Sequence, residues 1–170
     1  MCGPAGCGKS TFAAKWFLRT QIVSSDECRA LVSDDAENQG VSPEAFDLMY
    51  FIIRKRLLLR RLTVADATNL KTEDRGRLIA IARRFRFNSA IIIFNISLET
   101  CLERNASRDR VVPEDAVIAQ YQLLEKTLGS IESEGFDYIF VFNESDQSHS
   151  RVVIDLPARR PASRPPAAKK

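Results

Sequence analysis

The segment that most constrains the fold of this chain lies within its first eleven residues. Residues 3–10 read GPAGCGKS and are followed by Thr11, which fits the phosphate-binding pattern G-x-x-x-x-G-K-[ST]. Loops of this kind connect a buried strand to a helix in α/β proteins. The segment therefore predicts an α/β fold and a nucleoside triphosphate ligand. The alternative is a glycine-bearing turn that fits the pattern by chance.

Each residue type in this loop suits the binding of a triphosphate. Gly3, Gly6 and Gly8 permit positive φ angles, so successive backbone N–H groups can point at phosphate oxygens. Lys9 supplies a mobile positive charge for the β- and γ-phosphates, and Ser10 supplies a hydroxyl for Mg²⁺. The sequence predicts ATP and Mg²⁺ as cofactors, with Ser10 as a metal ligand and the nucleotide held by Gly3, Gly6, Cys7, Gly8, Lys9, Ser10 and Thr11.

The loop stands very close to the start of the sequence. A phosphate-binding loop normally follows a buried strand, but only Met1 and Cys2 precede Gly3. We therefore expect a sheet that lacks the strand before the loop, and a natural protein that begins upstream. Unpaired backbone groups on the two neighbouring strands would each destabilise the fold by about 1–3 kcal/mol.

Composition predicts one folded domain and a tail. The chain has 170 residues, of which 45% are hydrophobic, enough for one α/β core over residues 1–156. Residues 157–170, PARRPASRPPAAKK, contain five basic residues and no acid, so residues 1–156 carry a net charge of −2 although the whole chain carries +3. We expect a disordered tail or linker there, with a nucleic-acid-binding arm as the alternative.

Other sequence features indicate a protein of the cytoplasm. Cys2, Cys7, Cys28 and Cys101 lack the C-x-x-C spacing of zinc sites, so we expect free thiols. No apolar run approaches the roughly 18 residues that a membrane-spanning helix needs, and the first residues do not resemble a signal peptide.

Hydrophobic periodicity predicts alternating strands and helices, hence a three-layer fold around a mainly parallel sheet. Helices are expected at 43–60, 71–85 and 99–106, and a long one begins at Pro113. In the helix at 43–60 the side predicted to be buried comprises Phe46, Met49, Tyr50, Ile53, Leu57 and Leu58, and in the helix from Pro113 it comprises Val117, Tyr121, Leu124, Leu128 and Ile131. Strands are expected at QIVSS (ending at Asp26), RLTVAD (ending at Asp66), AIIIFNIS and GFDYIFVFN.

Two carboxylates are expected beside the loop, because ligands bind at the carboxyl ends of parallel strands. Asp26 is the candidate base that accepts a proton from the attacking hydroxyl, and Arg29 is placed to contact an acceptor phosphate. Asp66 is the candidate that holds Mg²⁺, directly or through Ser10. The alternative is that both acids cap the segments that follow them, with Arg29 as a surface partner of Asp26.

Three arginines lie in and after a short helix. Arg104, Arg108 and Arg110 precede the helix that begins at Pro113, where P-loop kinases carry a mobile lid. Guanidinium groups bind phosphate in a bidentate manner, so we expect these arginines to close over the transferred phosphate. A solvated arginine-rich turn is the alternative.

The order and spacing of five segments resemble the kinase module of bacterial polynucleotide kinase-phosphatase, in the AAA-type or zeta-toxin-like group of P-loop kinases. The resemblance spans about residues 3–143, without a phosphatase or ligase module. The segments are GPAGCGKSTFA, SSDECRALVSDDAENQ, LTVADATN, FNISLETCLERNASRDR and EGFDYIFVFN.

The resemblance implies a nucleoside or polynucleotide kinase-like fold and a 5′-hydroxyl kinase of RNA or DNA ends that acts in nucleic-acid repair. It implies that Lys9 and Ser10 engage ATP and Mg²⁺, that Asp26 activates the 5′-hydroxyl and that Arg29 contacts the acceptor. It also implies that the three arginines clamp the phosphates, and that full-length relatives carry a phosphatase or ligase module. A homodimer, a small-molecule kinase and a noncatalytic ATP-binding remnant stay open.

Overall fold

A computed structural model of the protein describes residues 1–108 and 110–147. The predicted domain boundary at residue 156 and the predicted tail at 157–170 lie outside the described residues. Among the described residues, no helix combines the length and the apolar composition that crossing a membrane requires.

Two pairs of parallel strands form the sheet. Strand β1 (Ile22–Ser24) pairs with β2 (Val64–Asp66), and strand β3 (Ala90–Asn95) pairs with β4 (Tyr138–Asn143). All four strands were predicted, and each is shorter than its sequence pattern. The register places Ser24 opposite Asp66, so that β1 and β2 end at the same edge.

Residues Met1–Gly3 occupy the position between β2 and β3. The Cys2 N–H donates to the carbonyl of Ile92 at 2.8 Å, and the Cys2 carbonyl accepts from the N–H of Phe94 at 2.9 Å. The Gly3 N–H donates to the carbonyl of Thr68 at 3.0 Å, after the end of β2. As predicted, no full strand precedes the loop among the described residues. The backbone of Met1–Gly3 nevertheless hydrogen-bonds to β3 and to residues in and just after β2, so the expected loss of all pairing on these strands does not occur.

Seven helices surround the sheet within the described part of the chain. They are α1 (Lys9–Trp16), α2 (Ser25–Ser33), α3 (Ser42–Leu58), α4 (Thr72–Arg84), α5 (Leu98–Ala106), α6 (Glu114–Ser130) and the short α7 (Glu144–Gln147). The predicted helices are present, and their ends differ from the predicted ones by at most two residues.

One boundary changes the position of a candidate residue. The expected strand QIVSS ends at Ser24, and α2 begins at Ser25, so Asp26 lies in the first turn of a helix instead of at a strand end. The physical reason is the Ser24 hydroxyl, which caps α2 by accepting from the N–H of Asp26 at 3.2 Å. Asp26 is therefore not the cap, which removes that alternative.

Helices cover both faces of β3. Ile92 and Phe94 pack with Phe12 of α1 on one face, whereas Ile91 and Ile93 pack with another apolar group on the opposite face. That second group includes Leu124 of α6 and Ile131. A third cluster joins Val23 of β1 to α3 through Met49, Tyr50 and Ile53. The result is the predicted three-layer α/β arrangement, with β3 buried on both sides.

The predicted buried sides of the long helices are largely correct. In α3, Met49, Tyr50, Ile53 and Leu57 are buried, and in α6 so are Val117 and Leu124. Leu58 was predicted to be buried but is 61% exposed, because it is the last residue of α3 and lies next to Leu57 rather than on its face.

Candidate functional site

The loop between Gly3 and Lys9 has the backbone that the sequence predicts. The φ angles of Gly3, Gly6 and Gly8 are 152°, 79° and 94°. Two features require glycine at position 6: the positive φ angle, and the close approach of α5, where a β-carbon would lie 2.1 Å from the carbonyl oxygen of Cys101. The glycine therefore lets the loop lie directly on α5, besides permitting its left-handed backbone.

The amides of this loop are available to a ligand. Within the described residues, the N–H groups of Gly6, Gly8, Lys9 and Ser10 donate no hydrogen bond, and they lie at the amino-terminal end of α1. Such a group of free amides, with the positive end of a helix dipole, is a phosphate-binding arrangement. The N–H of Ala5 is instead held at 2.8 Å by the Gln120 side chain of α6.

Lys9 folds back over the loop. Its Nζ donates to the carbonyls of Gly3 at 2.8 Å and Pro4 at 2.7 Å, and only 8% of the residue is exposed. These bonds fix the ammonium at the centre of the loop, where it adds a full positive charge to the partial charges of the amides.

A cleft of about 470 Å³ opens above the loop. Its size falls within the range of about 300–1,000 Å³ found for small-molecule sites. Of the seven predicted nucleotide-binding residues, Gly3 and Cys7 are buried outside the lining. The cleft is lined by five loop residues (Gly6, Gly8, Lys9, Ser10 and Thr11), three further basic residues (Lys15, Arg104 and Arg108), four aromatic residues (Phe12, Trp16, Phe94 and Phe142) and one acid (Asp146).

The structure brings Asp26 between two guanidinium groups. Its Oδ1 accepts from Nη1 of Arg29 at 2.6 Å, and its Oδ2 lies 2.9 Å from Nη1 of Arg110. The Asp26 side chain is 47% exposed, whereas that of Arg29 is only 7% exposed. Arg29 is further held by the carbonyl of Ala36, and its buried Nε has no partner. Arg29 is thus a buried, fixed cation, which contradicts the alternative in which it is a surface partner of Asp26.

Asp66 lies at the carboxyl end of β2, and the residue is only 8% exposed. No donor within the described part of the chain reaches its carboxylate, so the capping alternative is not observed. Helix α1, which carries Ser10, contacts β2. The neighbouring Asn69, with a φ of 49°, instead donates its side-chain amide to the carbonyl of Met1 at 2.7 Å.

The three predicted lid arginines divide into two groups. Arg104 and Arg108 line the cleft, whereas Arg110 pairs with Asp26 and lies 3.9 Å from Glu37. The buried Asn105 joins the two ends of this segment, because its amide nitrogen donates to the carbonyl of Val112 at 2.7 Å and its oxygen accepts from the Val112 N–H at 3.1 Å.

Sequence reasoning missed a buried ion pair between α4 and the segment that follows α6. Arg75 is 1% exposed, and its Nε donates to Glu134 at 2.7 Å while Nη1 donates to the carbonyl of Asn69 at 3.0 Å and to Thr127 at 3.2 Å. The signal was present in α4, because Arg75 precedes the buried Ile79 by four residues and so shares its face.

The four cysteines are buried free thiols, as predicted. Burial, together with the neighbouring Cys7, raises the pKa of the Cys101 thiol to about 12. A thiol with so high a pKa stays protonated at neutral pH, so Cys101 serves packing against the loop and not nucleophilic chemistry.

Comparison with known proteins agrees with the loop, the cleft and the sheet. The family model described as AAA domain matches residues 1–132, which include the phosphate-binding loop, Asp26, Asp66 and the arginine segment. No curated protein gives a significant match to the chain. The matching family is a kinase-like family of P-loop NTPases, which indicates nucleotide binding and phosphotransfer. With more than half of its residues matched, the chain belongs to this AAA domain family and has its α/β P-loop NTPase fold.

Proposed function

We propose that this protein is an ATP-dependent polynucleotide 5′-hydroxyl kinase that acts on RNA or DNA ends in nucleic-acid repair. The observation that carries the proposal is the position of Asp26, an accessible carboxylate held by the buried Arg29. It lies two residues beyond Ser24, which pairs with Asp66 beside the phosphate-binding loop. The donor site and a carboxylate base therefore share one edge of the sheet.

The proposed reaction moves one phosphoryl group. The 5′-hydroxyl oxygen forms a bond to the γ-phosphorus, the bond from that phosphorus to the β,γ-bridging oxygen breaks, and ADP leaves. Asp26 accepts the hydroxyl proton, for which its exposed carboxylate is accessible. Lys9 and the free amides of Gly6, Gly8, Lys9 and Ser10 stabilise the negative charge on the phosphates.

The donor set at the loop suits Mg²⁺. Ser10 offers an exposed hydroxyl, and Asp66 offers a largely buried carboxylate that accepts no hydrogen bond from the described residues. Mg²⁺ commonly takes one or two protein oxygens and completes its shell with phosphate oxygens and water. Ser10 and Asp66 would hold the ion, which neutralises charge on the β- and γ-phosphates when bound.

Arg29 and the lid arginines supply the remaining cations. The fixed positive charge of Arg29, which lies beside Asp26, would attract a phosphate of the acceptor strand. Arg104 and Arg108 face the donor cleft, while Arg110 reaches the acceptor side through Asp26. A terminus and its nearby backbone are all that these contacts require, so no sequence preference is expected.

A small-molecule kinase is the second candidate. Three acids, Asp34, Asp35 and Glu37, follow α2, and Glu37 approaches Arg110, the partner of Asp26, to 3.9 Å. Acidic residues repel a polynucleotide backbone and favour a neutral or cationic acceptor such as an amino sugar.

The test is transfer of labelled phosphate from Mg·ATP to a 5′-hydroxyl oligonucleotide. We expect transfer by the wild type and a loss of about 10²–10⁴-fold in Asp26→Asn, since that is the usual contribution of a general base. Asp47→Asn is the matched control, because Asp47 is an exposed acid on α3 away from these contacts.

Three other outcomes have distinct meanings. Transfer that aminoglycosides or free sugars compete away more strongly than oligonucleotides would favour the small-molecule kinase. ATP binding without transfer to any acceptor would indicate a noncatalytic remnant. Transfer that survives in Asp26→Asn would contradict the assignment of the base.

A further inference from the structure

The donor cleft continues past the phosphate-binding loop into an aromatic corner that the proposed transfer chemistry does not use. Phe12 and Trp16 of α1 form it together with Phe142 of β4. The ring centroids of Phe12 and Phe142 are 5.5 Å apart, and those of Phe12 and Trp16 are 6.4 Å apart. Phe12 is buried, but Trp16 is 38% exposed, so the indole is the ring that the cleft makes available.

The corner lies at the right distance from the loop for a nucleoside. Trp16 lies six positions after Ser10 in α1, which at 1.5 Å per residue is about 9 Å along the helix axis. Phosphates bound at the loop amides place the α-phosphate and ribose between these two points. We propose that the corner is a nucleobase subsite, in which Trp16 stacks on the base and Asp146 accepts a hydrogen bond from its amino group. This inference depends on the proposed function only in taking a nucleoside triphosphate as the donor.

The surroundings of Trp16 favour stacking over simple packing. A flat, partly exposed indole inside a cleft offers an aromatic face, and bases stack on such faces whatever their sequence. The Nζ of Lys15 lies 5.2 Å from the indole centroid, and Lys15 also lines the cleft. That ammonium is on an exposed, flexible side chain, so it can leave the ring face to a base and remain beside the phosphates.

Asp146 supplies the polar edge of the corner. Its Oδ2 accepts from the N–H of Asn143 at 2.8 Å, which orients the side chain, and the residue lines the same cleft as Trp16. An ionised carboxylate only accepts hydrogen bonds, so its other oxygen selects a base that donates. Adenine and guanine both carry an exocyclic amino group, whereas unsubstituted purine carries none.

The first measurement uses the natural fluorescence of the protein, because Trp16 is its single tryptophan. We titrate with ATP and, separately, with inorganic tripolyphosphate as a ligand that has the phosphates but no base. The expected result is saturable quenching by ATP and none by tripolyphosphate, although tripolyphosphate displaces ATP. Equal quenching by the two ligands, or none by ATP when calorimetry detects its binding, would overturn the stacking assignment.

Substitutions separate stacking from stability. We expect Trp16→Ala to weaken ATP binding about tenfold in calorimetry, from the usual contribution of one base–aromatic stack. Trp16→Phe retains an aromatic face and should lose much less. Neither variant should change the affinity for tripolyphosphate, whereas a variant with a damaged loop would lose both ligands. Equal weakening of ATP and tripolyphosphate by Trp16→Ala would contradict the subsite.

The role of Asp146 is tested with purine riboside triphosphate, which lacks the amino group of ATP. The wild type should bind ATP about fivefold more tightly, a difference typical of one hydrogen bond. In Asp146→Ala this preference should disappear, while quenching of Trp16 persists. Equal binding of the two nucleotides by the wild type would reject Asp146 as the amino-group acceptor.

These measurements contain no acceptor, so their outcome does not depend on whether the protein phosphorylates 5′-hydroxyl ends. Base-dependent quenching without transfer to 5′-hydroxyl ends would retain the subsite and reject the polynucleotide kinase. Transfer to 5′-hydroxyl ends without base-dependent binding would do the reverse.

Discussion

The two sides of the site are built in different ways. On the donor side, the loop is fixed by its own backbone and by buried neighbours, with Lys9 bonded to the carbonyls of Gly3 and Pro4 and Gly6 lying on Cys101. On the acceptor side, Asp26 is half exposed and held through its two ion pairs, to Arg29 and Arg110. The donor side is therefore part of the core, and the acceptor side is held mostly by charge.

This difference predicts that substitutions on the donor side damage the fold, whereas those on the acceptor side damage activity alone. The strongest test is Gly6→Ala. The new methyl would lie 2.1 Å from the carbonyl oxygen of Cys101, at a φ of +79°, so the loop must leave α5. We expect a loss of several kcal/mol in the free energy of unfolding and loss of ATP binding, measured by denaturation and calorimetry.

Gly76→Ala is the matched control for Gly6→Ala. Gly76 lies inside α4, and a β-carbon there meets nothing within 4 Å. Alanine should stabilise this helix by about 0.5–1 kcal/mol. If Gly6→Ala were equally harmless, the donor loop would not depend on close contact with α5.

The second test removes the buried ion pair of Arg75, which also donates to the carbonyl of Asn69, the residue that binds Met1 just before the donor loop. Arg75→Met leaves the carboxylate of Glu134, whose side chain is 8% exposed, without its partner. A buried pair broken in this way typically loses about 3–5 kcal/mol, a large part of a total stability of about 5–15 kcal/mol. We expect this loss in the free energy of unfolding from denaturant titrations.

Two further variants make the Arg75 result specific. Arg77→Met changes an exposed arginine on the same helix, whose guanidinium lies 5.9 Å from the centroid of the Tyr50 ring, and we expect a change below about 1 kcal/mol. Combining Arg75→Met with Glu134→Leu removes both charges and should recover much of the lost stability. A double variant no more stable than Arg75→Met would indicate that the hydrogen bonds to Asn69 and Thr127, and not the charge pair, dominate.

The same contrast explains how far the sequence could be interpreted. The donor loop was predicted because its information is local: glycines, a lysine and a hydroxyl stand at fixed spacing in residues 3–11. The pairing of Asp26 with Arg29 was also local, at a spacing of three residues on one helix. These contacts follow from backbone geometry that a short segment determines by itself.

Contacts between distant residues could not be predicted. Nothing in the sequence pairs Arg110 with Asp26, 84 positions away, or Arg75 with Glu134, 59 positions away. Arg110 was expected with Arg104 and Arg108 because the three are neighbours in sequence, but the segment that Asn105 closes turns Arg110 toward α2. Tertiary packing decides such contacts, and one sequence does not contain that information in readable form.

The third test addresses the acceptor side. Arg110→Ala removes a partly exposed ion pair, so the free energy of unfolding should change by less than about 1 kcal/mol. Under the proposed function, transfer to a 5′-hydroxyl end should nevertheless fall at least about tenfold, because one cation near the reacting groups is lost. ATP affinity, measured without acceptor, should remain unchanged.

An ion pair whose acid also lies on α2 serves as the control for Arg110. Arg19 pairs with Glu27, next to Asp26 in sequence, and both side chains are largely exposed. Arg19→Ala should change neither stability nor transfer. If Arg110→Ala weakened ATP binding and transfer to the same extent, Arg110 would belong to the donor side and the division between the two sides would fail.

The smallest expected effect concerns the exposed Glu144, which lies two residues before Asp146 of the donor cleft. Its Oε1 accepts from the hydroxyl and the N–H of Ser97, at 2.7 and 3.1 Å, and thereby joins α7 to the start of α5. These hydrogen bonds, with that of Thr100, lower the pKa of the Glu144 carboxyl.

A lowered folded-state pKa stabilises the protein above the unfolded pKa, and this contribution disappears as the pH falls through the folded pKa. Melting temperatures of the wild type and Glu144→Gln should therefore differ slightly at neutral pH and converge in acid. A difference that grew in acid would contradict the direction of the pKa shift.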